Sequence, residues 1–169
     1  MKRTISFILV VDDSEDDCTL IQRAFRKTGM TDPIQFVGSG NEAVAYFAGE
    51  GAFADRTRFP YPSIVITDLK MAHGDGFHVL QHLKSHPDFA VIPVMVLSAS
   101  ADPDDIKRSY LLGASCYMVK PQTAPELQAR LKRFYDFWMD CEVPDVDITG
   151  KQLHTESSGK LGARFAVNN

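Results

Sequence analysis

The sequence predicts an α/β fold in which a five-stranded parallel sheet carries helices on both faces. Five short segments rich in Val and Ile lack polar alternation, which is typical of parallel strands covered on both sides. Segments with the apolar spacing of helices lie between them, so strands and helices alternate along the chain. The 169 residues suffice for one such core, because domains average roughly 150 residues.

Each strand is predicted from an apolar run bounded by polar or turn-forming residues. The first run ends at the acidic pair Asp12-Asp13, and the second ends in a Gly-Ser-Gly turn. The third, fourth and fifth runs follow the same pattern. The predicted strands cover residues 6–11, 34–38, 63–67, 93–97 and 116–119.

The first three helices are predicted from capping residues and apolar spacing. Ser14, with Asp17 three residues later, resembles a capping box before the first helix. The second helix is predicted for about residues 41–48. The third is predicted for residues 77–83, and Pro87 ends it.

The last two helices begin with strong signals. Asp102 as N-cap with Pro103 at the first helical position predicts the start of the fourth helix. Thr123 and Glu126 form a second capping box before the fifth. Five β-α units in a row predict a doubly wound, flavodoxin-like sheet with the strand order 2-1-3-4-5.

Composition and charge argue against several classes of function. The net charge of −4 gives no basic field that would attract nucleic acid. Apolar runs such as residues 7–11 are far shorter than the roughly 20 residues that span a membrane. Three widely spaced cysteines without a Cys-x-x-Cys motif predict free thiols. We therefore expect a cytoplasmic protein with no nucleic-acid or membrane partner.

The chain is expected to form one domain, residues 1–141, followed by a flexible C-terminal extension, residues 142–169. The apolar periodicity ends after Met139, and the last twenty residues are polar and contain glycine. A DNA-binding module of about 50 residues would not fit there, so no separate output domain is expected. Residues 49–62 are predicted to form a long loop between the second helix and the third strand.

Polar side chains follow four of the five predicted strands. Asp12 and Asp13 follow the first strand, Asp68 the third, Ser98 the fourth and Lys120 the fifth. Because ligands bind outside the carboxyl ends of parallel strands, these side chains are expected to converge on one site. Three carboxylates that lie close together repel one another and require positive charge. Lys120 and a bound Mg²⁺ would supply it.

The same residues lie in motifs that resemble a known family. Each motif alone is weak, but their order and their places at strand ends resemble the receiver domain of two-component response regulators. The resemblance covers residues 5–139. The motifs are Val11-Asp12-Asp13, Asp68-Leu-Lys-Met-Ala-His-Gly-Asp-Gly76, Val96-Leu-Ser98-Ala and Tyr117-Met-Val-Lys120-Pro121.

This resemblance implies a phosphorylation site. Asp68 would accept a phosphoryl group from a phosphohistidine of a sensor histidine kinase. The protein would be no enzyme beyond its own phosphoryl transfer and autodephosphorylation. The implied ligands of Mg²⁺ are Asp12, Asp13, Asp68 and the backbone carbonyl of Lys70. The implied phosphate-binding residues are Ser98, Ala99 and Lys120.

The resemblance also implies how the site would signal. Tyr117 would be an aromatic switch that turns inward when Ser98 moves toward the phosphate. Pro121 would follow a cis peptide bond that fixes the direction of Lys120. The loop after the phosphoacceptor departs from the family, since residues 71–74 lack the usual proline. The lifetime of the phosphate is therefore left open.

A narrower resemblance is to single-domain regulators that pair with phytochrome-type kinases, so a bacteriophytochrome is one implied partner. It depends on the insertion at residues 49–55, the segment 109–117 and the Phe137-Trp138 pair that ends the last helix. Such regulators form homodimers through the fourth helix, fifth strand and fifth helix. The candidate interface residues are Tyr135, Phe137 and Trp138.

Two alternative functions remain open at this point. A magnesium-dependent phosphatase with an aspartate nucleophile would need a second acid two residues beyond it, where Lys70 stands. An adaptor with a receiver-like fold that is never phosphorylated would not need the converging acids and lysine. Labelling by acetyl phosphate would distinguish these functions.

Overall fold

A computed structural model describes residues 7–142 of the chain. Its five strands form one sheet in which every neighbouring pair is parallel and the order is 2-1-3-4-5. The predicted doubly wound, flavodoxin-like fold is therefore confirmed. The strands are β1 (Ile8–Val11), β2 (Ile34–Val37), β3 (Ile64–Thr67), β4 (Val94–Ser98) and β5 (Cys116–Val119).

Five α-helices connect and cover these strands, and each begins at a side chain that accepts a backbone N–H. Three of the caps, Ser14, Asp102 and Thr123, are those predicted from sequence. Ser39 and Asp75 cap the other two. The helices are α1 (Glu15–Lys27), α2 (Gly40–Ala48), α3 (Gly76–Ser85), α4 (Pro103–Leu111) and α5 (Ala124–Asp140).

The core is divided in two by the sheet, because successive side chains of a strand point to opposite faces. Leu9 and Val11 belong to one cluster, which includes residues of α2 and α3. Ile8 and Val10 belong to the other, which includes residues of α1 and α5. The apolar faces of the helices therefore hold the sheet edge, and the side chains that follow it, in a fixed frame.

The segment between α2 and β3 is more ordered than a long loop would be. It contains a short 3₁₀ helix, Gly51–Phe53. The Arg56 guanidinium donates to the carbonyls of Phe47 (2.9 Å) and Phe59 (3.2 Å). The same guanidinium lies 4.2 Å from the Tyr61 ring centroid. Arg56 therefore fastens the insertion to α2.

Two sequence expectations concern residues that the structure does not describe. The predicted extension, residues 142–169, lies outside the described residues except for Glu142, as does the first residue of the predicted strand 6–11. Between residues 7 and 142, no helix combines the length and the apolarity required to span a membrane. Cys18, Cys116 and Cys141, the three cysteines of the chain, are free thiols.

Candidate functional site

The backbone fixes three charged residues directly beyond the strands. The Asp12 N–H donates to the Val37 carbonyl (3.1 Å), and the Asp68 N–H donates to the Val11 carbonyl (2.9 Å). The Lys120 N–H donates to the Ser98 carbonyl (2.7 Å). Each bond extends the pairing of the sheet by one residue. Asp12, Asp68 and Lys120 therefore leave β1, β3 and β5 at one common edge of the sheet.

The ammonium of Lys120 lies at the centre of a group of carboxylates. Its Nζ is 2.7 Å from Asp12 Oδ2 and 3.0 Å from Asp68 Oδ2. It is also 2.7 Å from Asp17 Oδ2, an atom of the first turn of α1. The three N–H groups of the ammonium therefore match three carboxylate acceptors.

Burial makes these charges depend on one another. Burial alone would lower the pKa of Lys120, but the hydrogen bonds to Asp12 and Asp17 and the charge of Asp68 raise it above its usual value. Burial raises the pKa of Asp12, despite the hydrogen bond from Lys120, and the nearby charge of Asp68 raises it further. The site therefore holds a permanent ammonium and is short of positive charge.

Asp13 lies at the exposed rim of the same edge and contacts the β3–α3 loop. Its Oδ2 accepts the N–H of Ala72 at 3.1 Å, across 59 residues of sequence. The loop also binds the start of α2, since the Gly40 N–H donates to the Gly74 carbonyl (2.8 Å). A Cβ at Gly76 would collide with the Asp68 carbonyl oxygen, so glycine is required there. These contacts keep the loop against the carboxylates.

Ser98 and Tyr117 lie beside this site on β4 and β5. Ser98 is buried, and its hydroxyl accepts the N–H of Ser100 at 3.3 Å. The Tyr117 hydroxyl donates to the Ser100 carbonyl at 2.8 Å, with its ring against the core. Ala99, between the two serines, is exposed. The predicted switch residues therefore contact the same short loop.

Lys70 has its side chain directed to α4. The Lys70 ammonium is 3.3 Å from Asp105 Oδ2, and the same oxygen accepts the hydroxyl of Ser100 at 2.6 Å. That hydroxyl bond and the charge of Lys70 hold the pKa of Asp105 below its usual value. Lys70, Asp105 and Ser100 thus link the loop after Asp68 to the residues that hold Tyr117.

The oxygen donors at this edge suit a hard divalent cation. Asp12, Asp13 and Asp68 offer carboxylate oxygens, and Lys70, two residues after Asp68, offers its backbone carbonyl oxygen. In residues 7–142, no group of three His, Cys, Asp or Glu side chains is arranged to hold a metal ion. Asp12 and Asp68 instead contact the Lys120 ammonium. Mg²⁺ often binds through one or two carboxylates, with waters and a phosphate oxygen as the other ligands. The donor set therefore fits such an ion.

Comparison with known proteins identifies the family to which this chain belongs. The model of the response regulator receiver domain matches residues 8–132, most of the chain. The chain belongs to this family. It is thus a receiver domain of a two-component system, and receiver domains are signalling domains.

Some of the similar proteins are named for phytochromes or for red-light signalling. The receiver domain is 30% identical to response regulator Rcp1 of Synechocystis sp. over 133 residues, which are 79% of this chain and 88% of Rcp1. It resembles the phosphorylated cyanobacterial phytochrome response regulator RcpA with 34% identity and a TM-score of 0.77, over 83% of this chain and 99% of RcpA.

Two further solved structures bear on partner and metal. A response regulator in red light signalling of R. palustris is 29% identical, with a TM-score of 0.78, over 82% of this chain and 98% of its own. The Mn²⁺-bound form of Rcp1 is 29% identical, with a TM-score of 0.75, over 83% of this chain and 99% of its own. A structure with bound divalent metal is therefore among the receiver domain's structural neighbours.

One sequence expectation for the site is wrong. Among residues 7–142 every peptide bond is trans, so Pro121 does not follow the expected cis bond. The trans form of an X-Pro bond is intrinsically favoured by about 0.5–1 kcal/mol. The direction of Lys120 is instead fixed by its three carboxylate partners.

Two contacts of the site were missed at the sequence level. Asp17 was considered only as part of a capping box, although its place in the first turn of α1 brings it close to the end of β1. For Asp105 no role is predicted from the sequence. Its contact with Lys70 depends on how α4 is placed beside the β3–α3 loop, for which the sequence carries no signal.

The candidate interface residues on α5 differ in exposure. Phe137 is 61% exposed. Trp138 and Tyr135 are partly buried against the core, and the Tyr135 hydroxyl donates to Asp32 Oδ2 at 2.8 Å. Only Phe137 of the three therefore offers most of its surface to a partner.

Proposed function

We propose that this receiver domain accepts a phosphoryl group on Asp68 from a sensor histidine kinase, with Mg²⁺ as the cation. The observation that carries the proposal is the Lys120 ammonium, 3.0 Å from Asp68 Oδ2 and shared with Asp12. A permanent cation beside a carboxylate nucleophile is what phosphoryl transfer needs, because positioning and charge neutralisation carry its catalysis.

In this reaction an oxygen of Asp68 forms a bond to phosphorus, and the bond between phosphorus and the histidine nitrogen breaks. The electron pair of that bond stays on the nitrogen, which takes a proton from solvent, and the histidine leaves as neutral imidazole. Mg²⁺, held by Asp12, Asp13, Asp68 and the Lys70 carbonyl, would supply positive charge to the phosphoryl oxygens. Lys120 neutralises a further oxygen, and Asp13 keeps the loop after Asp68 close through Ala72.

The signal would pass through Ser98 and the β4–α4 loop. A phosphoryl oxygen attracts the Ser98 hydroxyl and the N–H of Ala99, which pulls this loop toward Asp68. The Tyr117 hydroxyl donates a hydrogen bond to the Ser100 carbonyl of the same loop, so the Tyr117 ring moves with the loop. The surface of α4 and β5 changes as a result, and partners read that change.

The proposed kinase is of the phytochrome type, and the proposed dimer face is α4, β5 and α5. Similarity to RcpA and to the R. palustris red-light regulator supports the kinase. Exposure of Tyr110, Leu111 and Phe137 supports the face. The phosphatase alternative receives no support, because the position of its general acid is occupied by Lys70, which is paired with Asp105.

The test is labelling by acetyl phosphate with Mg²⁺, followed by intact mass. We expect wild type and Asp16→Asn, which changes an exposed acid of the first turn of α1, to gain one phosphoryl group. Asp68→Asn should gain none, and chelation of Mg²⁺ should abolish the label. Transfer from a phosphorylated bacteriophytochrome should show the same dependence. An unlabelled wild type would leave the adaptor function.

A further inference from the structure

Asp17 contacts the reacting lysine without belonging to the residues that the proposed chemistry uses. It is the third residue of α1, and its N–H donates to the capping hydroxyl of Ser14 at 3.2 Å. This cap fixes the first turn of the helix above the sheet edge. The Asp17 carboxylate, 35% exposed, therefore reaches Lys120 Nζ at 2.7 Å.

The contact with Asp17 occupies one of the hydrogen-bond donors of Lys120. A lysine ammonium has three N–H groups, and Asp12, Asp17 and Asp68 accept all three. In the proposed phosphorylated state, Lys120 donates to a phosphoryl oxygen. One of the three present bonds must then be broken or shared, so Asp17 competes with the phosphoryl group for the ammonium.

The charge of Asp17 acts in opposite directions on the two ligands of the site. Three carboxylates, those of Asp12, Asp17 and Asp68, contact one ammonium. Asp13 adds a fourth negative charge at the exposed rim of the same edge. The excess negative charge attracts a divalent cation. The same excess repels an anion on Asp68.

We propose that Asp17 is a positioning residue that shares Lys120 with the phosphorylation site, strengthening the binding of the divalent cation and weakening the binding of the phosphoryl group. This inference rests on the function proposed above. A side chain of α1 thus regulates the binding of both ligands without contacting either of them. Asp17 thereby sets how strongly the site depends on its cation.

The test uses Asp17→Asn in the full chain, with Asp16→Asn as the matched control. Isothermal titration calorimetry first measures the affinity for Mg²⁺ alone. It then measures the affinity for beryllofluoride, an acyl phosphate analogue, at saturating Mg²⁺. In Asp17→Asn we expect Mg²⁺ affinity to fall about two- to fivefold and beryllofluoride affinity to rise by a similar factor, as befits a partly exposed ion pair. Asp16→Asn should change both much less.

Opposite signs separate this role from a structural one. Damage to the site would weaken both ligands together, so a joint loss, or no change, overturns the inference. Asp17→Glu keeps the charge and should restore both affinities toward wild type, and a Glu variant that behaves like Asn also overturns it. Labelling of the wild type by acetyl phosphate is a separate readout, whose failure rejects the proposed function and not the measured effect of Asp17 on Mg²⁺.

Discussion

At the scale of single residues, the stability of the site depends on Lys120. Its side chain is 14% exposed and faces three carboxylates. Replacing Lys120 by methionine keeps an unbranched side chain of similar length but leaves those acids without their cation. In Lys120→Met we expect the free energy of unfolding without divalent cation to fall by about 1–3 kcal/mol, since a partly buried pair costs less to break than a fully buried one.

Urea denaturation with and without Mg²⁺ measures this effect. Added Mg²⁺ should stabilise Lys120→Met more than wild type, because the cation relieves repulsion that the ammonium no longer relieves. Lys107→Met, at an exposed position of α4, is the control and should change little. Equal stability of Lys120→Met and wild type would show that the ammonium does not balance these acids.

Residues at strand ends were the predictable part of the site. Asp12, Asp13, Asp68 and Lys120 converge because topology alone brings the ends of parallel strands to one edge. The contact of Asp17 with Lys120 also requires the position of a helix over the sheet. That position depends on packing between whole elements, which no local pattern encodes.

At the scale of elements, the end of α3 contains a half-buried lysine with an unusual environment. The Lys84 ammonium donates to the carbonyls of Ala90 (2.9 Å) and Ile92 (2.6 Å), and no carboxylate pairs with it among the described residues. Burial lowers the pKa of Lys84 to about 8, from its usual 10.5. Lys84 therefore ties the α3–β4 loop to α3 with a charge that the folded state disfavours.

The sign of the pH effect follows from proton counting. Between pH 8 and 10.5 the folded chain holds less of a proton on Lys84 than the unfolded chain does. The contribution of Lys84 to the free energy of unfolding must then rise with pH in this range, and it is least favourable below pH 8. Other groups also titrate at alkaline pH, so the contribution is read as the difference between wild type and Lys84→Met.

We expect wild type to gain stability relative to Lys84→Met as the pH is raised from about 7.5 to 9.5, with urea denaturation as the measurement. Lys27→Met, an exposed lysine at the C-terminal end of α1, supplies the matched control. Its difference from wild type should stay constant over the same range. A constant difference for Lys84→Met as well would mean that its ammonium titrates normally.

Most elements could be predicted from sequence because their signals are local. The caps Ser14, Asp102 and Thr123 each form a hydrogen bond within a few residues, and buried strands show as continuous apolar runs. The insertion at residues 49–62 was predicted as a plain loop. Its order depends on Arg56 reaching Phe47 and Tyr61 across the fold, which the local composition does not reveal.

At the scale of the whole molecule, the β5 edge of the sheet and its two flanking helices indicate how the receiver domain could associate. β5 is an edge strand, and the flanking helices expose Leu111 (77%), Phe137 (61%) and Tyr110 (50%). Large exposed apolar side chains on the two helices that flank an edge strand are typical of an interface. A symmetric dimer through α4, β5 and α5 would cover all of them, because a two-fold axis places the same face on both partners.

Sedimentation velocity tests this dimer with wild type, Leu111→Asp and Phe137→Asp. A charge in an apolar interface must be desolvated without a partner, so each variant should raise the dimer dissociation constant by about tenfold or more. Leu20→Asp, at an exposed apolar position of α1 outside this face, is the control and should leave the constant unchanged. If the wild type stays monomeric with and without beryllofluoride, the face does not join two copies. If Leu20→Asp weakens the dimer as much as Leu111→Asp does, the loss is not specific to α4, β5 and α5, and the proposed face is wrong.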